Sequence, residues 1–335
     1  MRRVRSRCAK MLAAAAAFGL AAAGMAAGAE SAEKVRITFT EGSAAVVVVT
    51  AMEKGFLRAE GLDVEPKPMR AGVEGIESVT QGVMDFGTVH IAPIIATAAR
   101  KLPLKVVAVN SYGTQFVVVV PPADKASKTM ADLKGKRIAV QRGTGAHAVW
   151  LRYIEHTGLS ERDFKMKYIR NADIASALAG GEVEAGVPWY PFALSIVNKG
   201  LGRVLLSQDD IAKPLNDKYT FTLFTRASLV KENPALVQKV VNAWVKAQRW
   251  IIQNPGDAAR LFHAFTTRRG QTLELKDAEF LMRINYFDQP VFNQAFLDDM
   301  MSNARIMKKM GWIKEIPDPK SVVDSSFALK AVQAK

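Results

Sequence analysis

The sequence predicts an α/β fold. Three observations carry that expectation: short apolar runs recur between Lys34 and Phe224, glycine turns follow several of them, and the turns lead into apolar positions at helical spacing. Strands and helices alternating in this way form a mostly parallel sheet with helices on both faces. Ligands of such sheets gather at the carboxyl ends of the strands, so binding residues are sought there.

Lys34 to Thr40 (KVRITFT) alternates polar and apolar residues as a first strand does, and Glu41-Gly42-Ser43 makes a turn. Ala44 to Met52 holds four consecutive valines, a strand by propensity alone. Gly61 to Pro68 reads as the second strand, and the helix after it carries Val73, Ile76 and Val79 about one turn apart. Asp85 to His90 ends a buried strand and enters a helix through Pro93, which suits a first turn. Lys105 to Asn110 and Phe116 to Val120 are further apolar runs, the second closed by Pro121-Pro122, and Tyr219 to Phe224 (YTFTLF) is an alternating strand. From Asn233 the pattern is helical. Asn233-Pro234 and Asn254-Pro255 each pair a cap with a first-position proline, Leu236, Val240, Val241, Trp244 and Val245 share a face, and helices follow over Asp277 to Tyr286 and Phe292 to Met310.

The chain opens with Arg2, Arg3, Arg5, Arg7 and Lys10, continues with an apolar run from Met11 to about Met25, and reaches the small-x-small triplet Ala27-Gly28-Ala29. These are the parts of a secretory signal peptide over residues 1–29, cut after Ala29. The run is short for a membrane span, and no later stretch approaches the roughly 18 to 20 apolar residues that a span requires. The sole cysteine, Cys8, falls within this leader, so the expected mature chain has no disulfide, thiolate metal site or cysteine nucleophile. About 300 residues remain, enough for two lobes of ordinary domain size. The formal charge of +14, less the five leader cations, is +9. Basic residues are scattered among acids without interleaved aromatics, which fits a solvated basic surface better than a nucleic-acid platform.

The most informative stretch is LKGKRIAVQRGTGAHAVWLRYIEHTG, residues 133–158: an apolar run at Ile138 to Val140, a Gly143-Thr144-Gly145 turn, then Val149, Tyr153 and His156 at roughly helical spacing. A helix that starts on such a turn presents unpaired N–H groups and the positive end of its dipole, a seat for an anion or a polar head group. A plain strand-to-helix turn is the alternative. No Gly-Lys-Ser/Thr follows, so it is not a phosphate-binding P-loop, and it lacks the three-glycine dinucleotide pattern.

Residues 133–164, ending GLSERDF, resemble the second-lobe signature of solute-binding proteins of ABC importers for nitrate, sulfonates and taurine. MEKGFLRAEGLDVE (52–65), VTQGVMDFGTVHIAP (79–93) and NADIASALAGGEVEAGVPWYP (171–191) agree in the same order. The resemblance implies a two-lobed periplasmic binding fold of type II with a two-strand hinge. Lobe I would hold residues 30–120 and 221–335, and lobe II residues 121–220, with a strand near Lys167 to Arg170, a helix over Ile174 to Leu178 and a strand ending at Trp189. It also puts a helix, not a strand, on the valine run. The implied function is capture of a small organic anion, sulfonate-like or carboxylate, by a monomer that delivers it to an ABC permease and its ATPase, with no cofactor, metal or nucleic acid. The alternatives are a binder of a neutral pyrimidine thiamine precursor and, on the same fold, a pyrimidine-forming enzyme; the latter acts inside the cell and uses a cysteine-rich segment, against the leader and the cysteine count here.

The expected site collects Gly42, Ser43, Val89 and His90 from lobe I, and Gly143, Thr144, Gly145, Ala146, His147, Trp189 and Tyr190 from lobe II. Backbone amides and the Thr144 hydroxyl would hold an oxyanion, and Trp189 would wall the ligand. His147 could instead cap the loop. Relatives that take amino-sulfonates often carry an acid after FGTVG and another in Trp-Asp-Pro; here His90-Ile91 and Trp189-Tyr190-Pro191 stand in those places, which disfavours taurine and favours an anion with an apolar or aromatic body. The four histidines show no zinc-binding spacing and there is no Gly-x-Ser-x-Gly elbow.

Overall fold

Buried strands supply the frame. In a computed structural model, which describes residues 32–40, 42–69, 72–270 and 273–334, the leader expected over 1–29 and its cleavage point lie outside the described residues. The first strands are β1 (Glu33–Thr40), β2 (Leu62–Met69), β3 (Phe86–His90) and β4 (Leu104–Ser111). Then come β5 (Val118–Val120), β6 (Arg137–Val140), β7 (Lys165–Tyr168), β8 (Ala185–Gly186) and β9 (Arg203–Leu206), and finally β10 (Phe221–Arg226). They form two five-stranded sheets, ordered β2-β1-β3-β10-β4 and β7-β6-β8-β5-β9.

Each sheet is mostly parallel with one reversed strand. β1 and β3 run together while β10 opposes β3 and β4; β6 runs with β7 and β8 while β5 opposes β8 and β9. The reversed strands are the two that the chain enters on changing sheets. A chain leaving the carboxyl end of β4 arrives at the second sheet from the cleft side, so β5 must run away from the cleft and against its neighbours; β10 returns in the same manner.

This topology moves one expected boundary. Lobe I was to extend to residue 120, but Val118–Val120 pairs with β8 and β9 and so belongs to the second sheet. The first passage therefore covers residues 112–117, and Pro121-Pro122 marks only the exit from β5. Proline without an N–H cannot continue a central ladder, so the pair ends β5, whereas the edge strand β2 carries Pro66 and Pro68. The return passage ends just before Phe221.

The valine run forms helix Val46–Glu53, and Val46, Val47, Val48 and Val49 are wholly buried. It packs against helices Pro234–Gln253 and Pro255–Arg268. A helix apolar all round is stable only when enclosed, and enclosure outweighs the small helix penalty of β-branched residues. Trp244 on the longer helix donates through Nε1 to Asn110 Oδ1 at 3.0 Å, and Asn110 Nδ2 donates to the Ala44 carbonyl at 2.9 Å. Core packing thereby sets where the chain leaves the carboxyl end of β1. Among the described residues no helix is long and apolar enough to cross a membrane.

At the end of the first sheet remote from the cleft, Asp85 accepts from the Arg36 amide (2.9 Å) and from its guanidinium (2.9 and 3.0 Å), and lies 3.3 Å from Arg226 Nη1. Burial pushes the Asp85 carboxyl up, but the hydrogen bonds from Arg36 outweigh it and the net shift is downward. A carboxylate held below its unfolded pKa of about 3.9 stabilises the fold above that value and loses the contribution as pH falls through the folded one. Wild type should therefore lose thermal stability more steeply between about pH 4 and pH 2 than Asp85→Asn, read as unfolding midpoints by circular dichroism; parallel curves would refute the assignment.

Candidate ligand site in the interlobe cleft

The carboxyl ends of the parallel strands in both sheets open on one cavity of about 100 Å³. Lobe I contributes Thr40, Gly42, Ser43 and Ala44 after β1, Gly72 and Val73, Val89 and His90 at the end of β3, Pro93, and Phe221 at the start of β10. Lobe II contributes Gln141, Arg142, Gly143, Thr144 and Gly145 after β6, with Trp189 and Tyr190 after β8; Gln115 enters from the first passage. Gly42, Ser43, Val89, His90, Gly143, Thr144, Gly145, Trp189 and Tyr190 thus line one cavity. Ala146 and His147 are not in the wall.

Both are buried in the helix behind it. His147 Nδ1 accepts the Gly143 amide at 3.2 Å, so the proton sits on Nε2, which faces Glu161 Oε1 at 3.0 Å. Tyr168 donates to the same oxygen at 2.7 Å, and Trp312 packs on the imidazole at a centroid distance of 4.6 Å. His147 is therefore the loop cap, an ambiguity that spacing alone left open. Thr144 also differs from expectation. Its hydroxyl donates to the Gln141 carbonyl at 2.8 Å and accepts the His147 amide at 3.3 Å, so it shapes the turn and has no proton left for an oxyanion. The amides of Gly145 and Ala146, at the first two positions of helix Gly145–His156, are those that helix geometry leaves without intrahelical acceptors.

On the lobe I side, His90 caps helix Ile91–Ala99 by accepting the Ala92 amide at Nδ1, 3.1 Å. The neutral ring then carries its proton on Nε2, which is buried and has no partner. Burial, aided by the Arg152 charge, lowers the His90 pKa to about 3, so the ring is a neutral donor at physiological pH. The Ser43 hydroxyl donates to Gln115 Oε1, and Gln115 Nε2 donates to Asn285. In lobe II, Gln141 Oε1 accepts the Asn171 amide at 2.9 Å and Asn171 Oδ1 accepts the Trp189 amide at 3.2 Å, joining the ends of β6, β7 and β8.

The lobes meet at the cavity. A Cβ built on Gly145 would come 2.4 Å from His90 Cγ, and one on Gly42, whose φ of +131° already favours glycine, would come 3.3 Å from the Tyr190 carbonyl oxygen. The cleft is closed on itself. Among the described wall residues there is one cation, Arg142, and no acid, while helices Gly72–Thr80, Ile91–Ala99 and Gly145–His156 all start at the wall. Their dipoles and free amides make the interior electropositive. Thr40, Ala44, Gly72, Val73, Pro93, Gln115, Gln141, Arg142 and Phe221 were missed from sequence. Gln141 and Arg142 directly follow the β6 run and could have been included on the strand-end rule; Gln115 and Phe221 lie on the passages between lobes, where no local pattern marks a ligand contact.

Comparison with known proteins follows the same lines. A protein described as a binding protein in Brucella abortus (strain 2308) is 27% identical over 209 residues, 62% of this chain, and the match spans 64% of that relative's length. An aliphatic sulfonates-binding protein of Escherichia coli (strain K12) is 29% identical over 220 residues, 65% of this chain and 66% of its own. The structure of the alkanesulfonate-binding protein SsuA from Xanthomonas axonopodis pv. citri bound to MOPS superposes with a TM-score of 0.75 at 21% identity, covering 88% of this chain and 98% of that one. The fold is shared with the desulfurization enzyme DszB, at a TM-score of 0.67 and 17% identity over 90% of this chain and 99% of that one, so fold alone does not separate binding from catalysis. The model of the NMT1/THI5-like family matches residues 44–258, well over half of the sequence, and the chain belongs to that family.

Proposed function

We propose that the protein is the periplasmic solute-binding component of an ABC importer, which closes its lobes on a small anion and presents it, as a monomer, to a permease with an ATPase partner. One observation carries the reading: helix N-termini from both lobes converge on one cavity whose described wall has no acid. The Gly145 amide stands in the wall as a donor to an oxyanion, His90 holds an unpartnered Nε2–H buried beside it and Arg142 adds positive charge, while Val73, Val89, Pro93, Trp189 and Phe221 provide an apolar wall for a short carbon body. Size narrows the choice. At about 100 Å³ the cavity suits a small ligand such as a short-chain sulfonate or carboxylate.

A binding role, without catalysis, is supported by the names of the curated relatives and by the site's own chemistry. The serine in the wall gives its proton to Gln115, an amide with no basicity, and His90 is engaged as a helix cap, so among the described wall residues no nucleophile and base stand together. The leader supports export and the periplasmic location. Titration calorimetry of the chain from Glu30 onward with ethanesulfonate, acetate, nitrate and a hydroxymethylpyrimidine tests the reading. One-to-one binding of an anion is expected. Binding of the pyrimidine with no anion held would overturn it.

A further inference from the structure

Behind the cavity, four segments converge on a buried charge cluster. Arg152, two turns along the helix that begins at Gly145, places Nη1 2.7 Å from Asp217 Oδ1 and 3.1 Å from Asp299 Oδ1. The Asp217 side chain is wholly buried and that of Asp299 is 1% exposed. Thr114, on the first passage, donates to Asp217 at 3.1 Å, and Thr220, at the end of the second, donates to Asp299 at 3.3 Å. Asp217 itself lies on the second passage. Asp299 is on helix Gln294–Lys309, which packs both on lobe II helix Gly145–His156 and on lobe I helix Ile91–Ala99. Both connections between the lobes, one lobe II helix and the helix that bridges the lobes therefore meet in this cluster.

Its charge does not balance. Two carboxylates face one guanidinium, and the nearest other titratable groups do not supply a second cation. Tyr219, on the second passage, is neutral, its pKa raised by burial and by Asp217. His90, with its ring centroid 4.4 Å from that of Tyr219, is neutral as described. On the solvent side Arg152 borders a groove with Glu155, His156, Arg305 and Lys309, of which Lys309 pairs with Glu155 and Arg305 donates to Ser302. Like charges this close cannot both ionise in a dry site. Burial first, and then the Asp299 charge, raise the Asp217 carboxyl well above its ordinary range; the proton belongs to the pair.

We infer that the Asp217–Asp299 pair is a proton-coupled hinge clasp: closing the lobes brings the two carboxylates together around Arg152 with one shared proton, and opening separates them and releases it. The inference rests on the lobe-closure reading above. The sign follows from linkage. Away from Asp299 and from burial the Asp217 carboxyl returns to the ordinary carboxyl value of about 3.9; in the closed arrangement it is raised, so the closed state binds one proton more across the window between. Ligand affinity then falls as pH rises, by about tenfold per pH unit at the limiting slope of one proton.

The test is calorimetry with ethanesulfonate in two buffers of different ionisation heat at pH 6.5, repeated from pH 6 to 8. Uptake of close to one proton per ligand is expected in wild type, and close to none, with a flat pH profile, in Asp299→Asn; Asp217→Asn serves where that variant fails to fold. Binding by wild type with no proton uptake overturns the clasp and leaves the anion-binding reading standing. If no anion binds, that reading fails, and the clasp is read instead from small-angle X-ray scattering of the ligand-free chain: a smaller radius of gyration at pH 5.5 than at pH 8.5 in wild type only supports it, and equal radii overturn it.

Discussion

Gly145→Ala is expected to weaken ligand capture by about 5- to 150-fold while leaving the fold intact. The added Cβ would come 2.4, 2.5 and 2.7 Å from Cγ, Nδ1 and Cδ2 of His90. His90 cannot swing aside, because Nδ1 holds the Ala92 amide and the ring is packed on Tyr219 and Phe221, at 4.4 and 5.7 Å between centroids. The clash exists only when the lobes are shut. Overpacking of this kind typically costs about 1–3 kcal/mol, here charged to the closed state alone, and affinity falls in proportion to the closed population that is lost. The ligand-free melting temperature should be unchanged, and His90→Ala in the Gly145→Ala background should restore closure, read as compaction by X-ray scattering with the anion present. A Gly145→Ala chain that binds as tightly as wild type would show that the observed contact is not needed for capture.

That prediction depends on a residue the sequence marks as a turn glycine, and it shows how far sequence reading reaches. The strand-turn-helix at Ile138 to His156 is legible because period, glycine and helix start coincide within twenty residues. That Gly145 is needed for an approach across the cleft is not legible, since its partner lies fifty-five positions earlier on another lobe. The valine run shows the opposite failure. Propensity reads strand; burial between two late helices makes it helix, and only the family resemblance anticipates this. The lobe boundary was missed by one strand because Pro121-Pro122 is a loud local signal, whereas the pairing of β5 with β8 and β9 is a non-local fact. His147 and Thr144 have the right chemistry for an anion seat and the right position in the chain. Their hydrogen bonds turn inward, to Gly143 and Glu161 and to Gln141, and residue type cannot reveal such commitments. The hinge cluster was invisible for the same reason: Arg152, Asp217 and Asp299 look like ordinary surface charges until the fold buries them together.

Ethanesulfonate should bind at least about 100-fold more tightly than taurine, which differs by one ammonium group. Closing the cleft strips that group of water, and an unpaired buried charge costs several kcal/mol, where about 2.7 kcal/mol already corresponds to 100-fold. The positions at which relatives often place acids are here Ile91, directly after His90, and Tyr190; His90 and Tyr190 stand in the cavity wall. Neither can answer a cation. His90 offers an N–H donor, and Tyr190, 5% exposed, points its hydroxyl to Gln208 Oε1 at 3.1 Å with its pKa raised first by burial. Arg142 at the wall adds repulsion. Tyr190→Asp supplies the missing carboxylate and removes a buried ring, so it should narrow the gap from both sides, raising taurine affinity and lowering that of ethanesulfonate. Competition calorimetry with the two ligands reads both changes. Equal affinities in wild type would mean that an acid outside the described wall, or water retained in the closed cleft, compensates the ammonium, and the absence of acids from the described wall would then no longer set the specificity.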